Sequence, residues 1–514
     1  MDMLNSYLDE RRVNVPLLIL SCSLVAVLVV RSLATARLDQ KEGIDGTLPA
    51  PRLWQWDPFL GLDTVISQVR ALRGDYYLDW LRALHKGRPN TFSLRFFGNR
   101  WFYTMEPEIL KAVYATNFRD FGVEPIRRNS RITMPFADKG VNTTDGDDWA
   151  FSRVLIKPFF ERDVYHNTER IRPFADRFLA LFPRTTARPS TFNPSCSAGS
   201  STSTPTSFSV RPSTPYATPP TENLPSTWSR PCAAPACAPS RTASSGPSAG
   251  SGGTTPSTRS TRTSTGTSGR RTPSSTSANN AKPRASPLGP ERTDLLWLMA
   301  GQMRGDLEGL RSQVCLIIVP TNDTTSMFIS HCIWFLARHP DSWEKLRQEV
   351  AALGKDAPLS FEALRTMPFL NGVMNETHRL IPNNVTQVRA CIADSTLPLG
   401  GGPDGQSPLR VKKGDIVSVT KTVMYRDPAT WGADADEWRP ERWDGIRGSW
   451  GFLPYGGGPR RCPAQMMVQT EAAYMLARMA REYKRLEARD PNPYRGVMRI
   501  GPSNKHGVKI ALYK

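Results

Sequence analysis

The chain has 514 residues, 66 Lys and Arg against 47 Asp and Glu, and 39% hydrophobic residues. That is enough to bury a large core and too long for a small disulfide-stapled scaffold. Its eight cysteines, Cys22, Cys196, Cys232, Cys237, Cys315, Cys332, Cys391 and Cys462, form no CxxC and no paired framework, which points away from an extracellular cystine protein or a zinc ribbon and toward reducing surroundings.

The first element is apolar. Val15 to Val30 carry no charge, with Arg11 and Arg12 before them and Arg31 and Arg37 after. A bilayer span takes about 20 apolar residues, and flanking arginines snorkel to make up a shortfall. No clean small-x-small cleavage pattern follows, so residues 1–31 read as an uncleaved N-terminal membrane anchor rather than a signal peptide. Arginines on both sides set its orientation only weakly.

Residues 32–183 have a globular composition. Phe92 to Phe97, a Gly98-Asn99-Arg100 turn and Trp101 to Thr104 predict a β-hairpin, with a helical pattern from Glu106 to Asn117. Residues 184–291 differ in kind, because Ser, Thr and Pro supply 61 of these 108 residues, with no Ile, Met or Asp. Such a segment has too little apolar area to offset the entropy of ordering it, and it reads as disordered. It also holds nine of the nineteen excess positive charges. The remainder is moderate, which removes the case for nucleic-acid binding and leaves an anionic membrane or an acidic partner.

From residue 292 to 514 the chain is globular again and mainly helical. Gln313 to Ala337 predicts a long buried helix interrupted by the polar Thr321-Asn322-Asp323-Thr324-Thr325. Ser342 to Leu353 and Phe361 to Leu380 are amphipathic, and Pro463 to Leu486 places Val468, Ala472, Met475, Met479, Tyr483 and Leu486 on one helix face, with proline in the first turn. Just before it, Phe452 to Gln465 reads FLPYGGGPRRCPAQ, presenting Cys462 at a helix N-terminus. The dipole and backbone N–H groups there favour a thiolate, and glycines let the backbone approach a ligand closely.

This stretch resembles the haem-binding loop of the cytochrome P-450 family, with Tyr455, Gly458, Arg460, Cys462 and Ala464 at the family's positions; Tyr stands for the usual Phe and Ala for the last Gly. The resemblance implies a mainly α (α+β) fold with a small β-rich N-terminal part. It also implies haem b with Cys462 as the axial iron ligand, a thiolate whose electron donation favours O–O cleavage.

Four further segments are similar to the family in the expected order. Glu376-Thr377-His378-Arg379 resembles its Glu-x-x-Arg helix, whose pair would join Arg442 in a buried network bracing the Cys462 loop. Trp149 and Arg153, one helical turn apart, would reach a haem propionate, with Arg460 and Arg389 completing a cationic cradle. Pro320 to Thr325 aligns with the oxygen-activation patch, making Asp323 and Thr324 the proton-relaying pair, although Pro320-Thr321 replaces the usual Ala-Gly; a Thr bonding backbone carbonyls is the alternative. Asn375 to Arg485 is similar to the fungal alkane and fatty-acid hydroxylase branch.

The implied function is a monooxygenase in the endoplasmic reticulum membrane, catalytic domain on the cytosolic side. It would insert one oxygen atom from dioxygen into a hydrophobic small molecule, an alkyl chain, a fatty acid or a secondary-metabolite intermediate. Electrons would come from NADPH through a flavoprotein reductase docked near Lys157, Arg460 and Arg461. The likeness covers roughly Trp54 to Phe182 and Thr293 to Lys514; between them, where the family builds the roof of its substrate pocket, it fails. The sharp changes at about Pro183 and Arg292 read as a shifted reading frame or a retained intron, which leaves a non-catalytic, membrane-tethered remnant as the alternative.

Overall fold

The computed structural model describes residues 46–128, 138–180, 295–446 and 448–514, and the isolated positions Ser23 and Val30. The chain divides into a unit of Met1–Pro215 with Thr293–Lys514 and a unit of Tyr216–Arg292, the second wholly outside the described residues. The expected anchor, apart from those two positions, and the segment 184–291 also lie outside them. Among the described residues no helix is long and apolar enough to cross a membrane.

The hairpin forms as β1 (Thr91–Phe96) and β2 (Asn99–Thr104), with Phe96 opposite Asn99. Its turn is tighter than the sequence suggests: Phe97 and Gly98 alone make it, both at positive φ (49° and 78°), and Asn99 and Arg100 belong to the strand. Positive φ at both central residues gives a two-residue turn whose twist matches the strands.

The β-rich part is not N-terminal only. β3 (Phe121–Gly122), β4 (Thr386–Cys391) and β7 (Ile416–Thr420) join the hairpin in one sheet of order β1-β2-β7-β4-β3, with β2 parallel to β7. Strands from both sides of residues 184–291 therefore share one hydrogen-bonded ladder. β5 (Ser395–Gly401) and β6 (Ser407–Val411) form a separate hairpin.

The helical layer packs around a core of Phe328, Cys332, Leu336, Leu346, Leu370, Val373, Ala472, Leu476 and Met479. Its central helix, Leu307–Leu336, is capped by Asp306, whose carboxylate accepts the Gly309 N–H at 2.8 Å. It is buried from Met327 to Leu336, whereas Ile318 and Val319 are 50% and 45% exposed, so the expected burial holds for its C-terminal half. The predicted helix over 361–380 is two, Phe361–Arg365 and Pro368–Leu380. Pro368 cannot donate to a preceding turn and starts a new helix instead.

The last long helix runs Gln465–Glu482, two residues later than the expected start at Pro463. All six positions of the predicted apolar face are buried, although Tyr483 and Leu486 lie beyond the helix, the latter in β8 (Arg485–Ala488).

Candidate active site

The loop before the Gln465–Glu482 helix depends on glycine. Gly458 sits at φ 65°, and a Cβ there would lie 1.8 Å from the Tyr114 carbonyl oxygen, so no other residue fits without moving backbone. The turn returns the chain so that the Cys462 N–H donates to the Tyr455 carbonyl at 2.9 Å.

Cys462 lies on the wall of a cavity of about 320 Å³. Burial pushes its thiol up, against the opposing pull of the Ala464 N–H and of Arg153 and Arg461. Helix-end electrostatics thus act in the expected direction but are outweighed by desolvation.

Trp149, Arg153, Arg389, Arg460, Tyr455, Thr324 and Ala464 line the same cavity. Trp149 and Arg153 come from the helix Gly146–Ile156, and Arg389 from β4, its guanidinium 4.3 Å above the Tyr114 ring. Arg460 stacks at 4.6 Å on Trp149 and pairs with Asp145 at 2.5 Å. That pairing corrects its expected role at a docking surface, because the Arg460 side chain is 7% exposed; Lys157 and Arg461 are the exposed members of the trio.

Sequence reading missed Arg127, Gln387, Asn383 and His378, which also line the cavity. Strand alternation was a usable signal for Gln387, two residues from Arg389 on β4; nothing in the sequence marks Arg127. Burial, with Arg389 beside it, lowers Arg127 to about 10, and burial lowers Arg460 to about 10 despite Asp145. Four guanidinium groups line the cavity and no carboxylate does, Asp145 compensating one of them, Arg460, from outside the lining. Arg460 Nε, Tyr455 OH, Asn383 Oδ1 and Gln387 Oε1 are buried there without a partner in the protein. Buried polar atoms are ordinarily satisfied; Arg460 Nε and Tyr455 OH are donors and, with the other guanidinium groups, fit a ligand bearing carboxylates, as haem does, with Cys462 as the metal-binding atom, whereas Asn383 Oδ1 and Gln387 Oε1 are acceptors and do not bear on that fit.

Glu376 and Arg379, on the helix Pro368–Leu380, are fully buried and joined by two hydrogen bonds of 2.7 and 2.8 Å. Glu376 also accepts from Arg442 Nε at 3.3 Å, the Arg439 N–H at 3.0 Å and Trp443 Nε1 at 3.0 Å. Arg379 donates to the carbonyls of Tyr425, Ala435 and Glu437. The three residues thus assemble away from solvent, where an unsatisfied charge would be costly.

The oxygen-activation patch is less complete. Thr324 lines the cavity, with its hydroxyl donating to the Pro320 carbonyl at 2.9 Å, the alternative noted from sequence. Thr321 bonds back in the same way, to Ile317. Asp323 is half-buried and does not line the cavity.

Residues 291–505 match the family model described as Cytochrome P450. The chain is 55% identical to cytochrome P450 monooxygenase iccC of Talaromyces variabilis over 98% of its own length and 99% of that protein's. It is 56% identical to cytochrome P450 monooxygenase fumoA of Cordyceps fumosorosea over 98% of both chains, and 53% identical to cytochrome P450 monooxygenase tenA of Beauveria bassiana over 98% and 99%. None of these names specifies a substrate. Identity of this order along nearly the whole chain, arriving where a lone cysteine already faces a cavity ringed with arginines, establishes that the chain belongs to the cytochrome P450 family and is a haem-thiolate monooxygenase.

Proposed function

We propose that the cavity holds haem b through Cys462 and oxidises an apolar small molecule, a secondary-metabolite intermediate or an alkyl chain, with electrons from NADPH delivered by a flavoprotein reductase. The observation that carries this reading is the convergence of Cys462, four arginines and Thr324 on one cavity. Bound haem supplies the oxygen activation and one-electron chemistry. Cys462 Sγ would hold the iron; Arg153, Arg389, Arg460 and Trp149 would neutralise and orient the two carboxylates. Thr324 and Asp323 would pass protons, and Leu316, Ile317 and Phe160 present apolar wall to a substrate.

Attachment to the endoplasmic reticulum membrane is part of the same proposal. Its support is the uncharged run 15–30 and an apolar surface of Trp54 (84% exposed), Trp56, Ile66, Val69 and Phe97 (63%), amphipathic material of the kind that seats at a bilayer interface. Reductase docking near Lys157 and Arg461 is supported by the exposure of both, Arg461 standing next to Cys462 in the chain.

A second reading, a non-catalytic remnant, is favoured by the exposure of Ile318 and Val319 on the central helix, together with a segment 184–291 too poor in apolar residues to cover them. On that reading this segment arises from a shifted frame or a retained intron, and a helical family-like segment in another frame of the coding DNA would support it. The full chain in membranes with reductase and NADPH separates the two: substrate-dependent oxygenated product supports the enzyme, and absence of oxygenated product from every apolar substrate offered supports the remnant.

A further inference from the structure

Lys421 is the first residue after β7 and opens the short helix Lys421–Met424. It is fully buried, and its ammonium donates to the Leu453 carbonyl at 2.6 Å. Burial, with Arg389 nearby, lowers it to about 7. An apolar side chain of similar volume would fill this space without the cost of removing a charge from water, so stability alone does not account for a lysine.

One helical turn on, Tyr425 OH accepts the Leu453 N–H at 2.9 Å. Both backbone polar groups of Leu453 therefore have side-chain partners four residues apart, the carbonyl also accepting the Gly456 N–H at 3.0 Å. The Tyr425 carbonyl in turn accepts from Arg379 at 2.8 Å. Two residues beyond Leu453, the Tyr455 carbonyl receives the Cys462 N–H. A continuous path thus runs from the Glu376–Arg379 pair through Tyr425 and Leu453 to the cysteine loop.

We propose that Lys421 and Tyr425 are positioning residues that grip Leu453 from both sides and hold the Cys462 loop in its ligating geometry. The inference rests on the haem-thiolate reading. Lysine is used because its ammonium is a compact donor that reaches the Leu453 carbonyl from a fully buried position.

The test uses the full chain and its Lys421→Met and Tyr425→Phe variants. The carbon-monoxide difference spectrum of each reduced protein is followed over time, and the thermal unfolding midpoint is measured in parallel. Expected is a thiolate band that decays about tenfold faster in Lys421→Met, the equivalent of one charge-assisted hydrogen bond lost, and about threefold faster in Tyr425→Phe. The unfolding midpoint of Lys421→Met should be unchanged or raised, because a buried charge has gone. Thiolate bands as persistent as in the parent chain would overturn the clamp alone; loss of persistence only in step with a lowered midpoint would overturn it in favour of a general structural role. A parent chain without any thiolate band would overturn the haem-thiolate reading and the clamp with it.

Discussion

The two sides of the cavity are built to different standards. Behind Cys462, Glu376, Arg379 and Arg442 satisfy one another and the surrounding carbonyls with no exposure of the central pair. On the central helix, Thr321 and Thr324 spend their hydroxyls on their own backbone, Asp323 is not among the residues that line the cavity, and Ile318 and Val319 are half-exposed. The difference teaches that holding the haem and using it are separable. The groups proposed for the first lie within the described residues, and the second depends on what covers the central helix.

The comparison breaks most decisively at Glu376. Glu376→Gln removes the charge that two buried arginines share and should cost about 3–5 kcal/mol, read as a fall in the denaturant midpoint with loss of haem retention; a midpoint within about 1 kcal/mol of the parent's would mean the network is dispensable.

Acid should loosen the fold as a whole. Burial lowers His331 and His378 to about 3 and His85 to about 4 from an ordinary 6.5. Above 6.5 each is neutral in both states and stability is complete; as the pH falls below 6.5, the unfolded chain takes up protons that the folded chain refuses. Stability should then drop by about 1.4 kcal/mol per pH unit for each histidine until the folded values are reached. His331→Gln should flatten the slope of unfolding free energy against pH by about one third, and an unchanged slope would remove His331 from the account.

At the cavity rim the expected effects are smaller. Arg389→Ala, losing a buried cation, should weaken haem retention about tenfold, and the half-exposed Arg153→Ala about threefold, measured by transfer of haem to an excess of acceptor apoprotein; equal effects would contradict the ranking by burial. The smallest structural effect belongs to Thr324→Val, within about 1 kcal/mol, since only a local backbone bond is lost. Product formed per NADPH consumed should nonetheless fall if the hydroxyl passes protons, and an unchanged ratio would leave Thr324 as a helix-internal cap.

The ligand-holding side was legible because its chemistry is local in sequence. Cys462 and its glycines lie within one loop, Glu376 and Arg379 within one turn, and Trp149 and Arg153 likewise. What stayed hidden depends on tertiary placement. Arg127 reaches the cavity without any pattern around it, and Gln387 was marked only by its alternation with Arg389. Arg460 carried two expectations that pull in opposite directions, a haem cradle and a docking surface; its side chain, 7% exposed and on the cavity lining, is too buried for the second. The Phe97-Gly98 turn escaped because a phenylalanine at positive φ runs against intrinsic preference, and the break at Pro368 was overridden by an apolar pattern that continues through it.

The measurement that tests the central claim most directly is the carbon-monoxide difference spectrum of the reduced full chain beside Cys462→Ala. A strongly red-shifted Soret band in the parent that is absent from the variant is the predicted result. No such band in the parent, or one that survives the loss of Cys462, would contradict the assignment of this cavity as a haem-thiolate site.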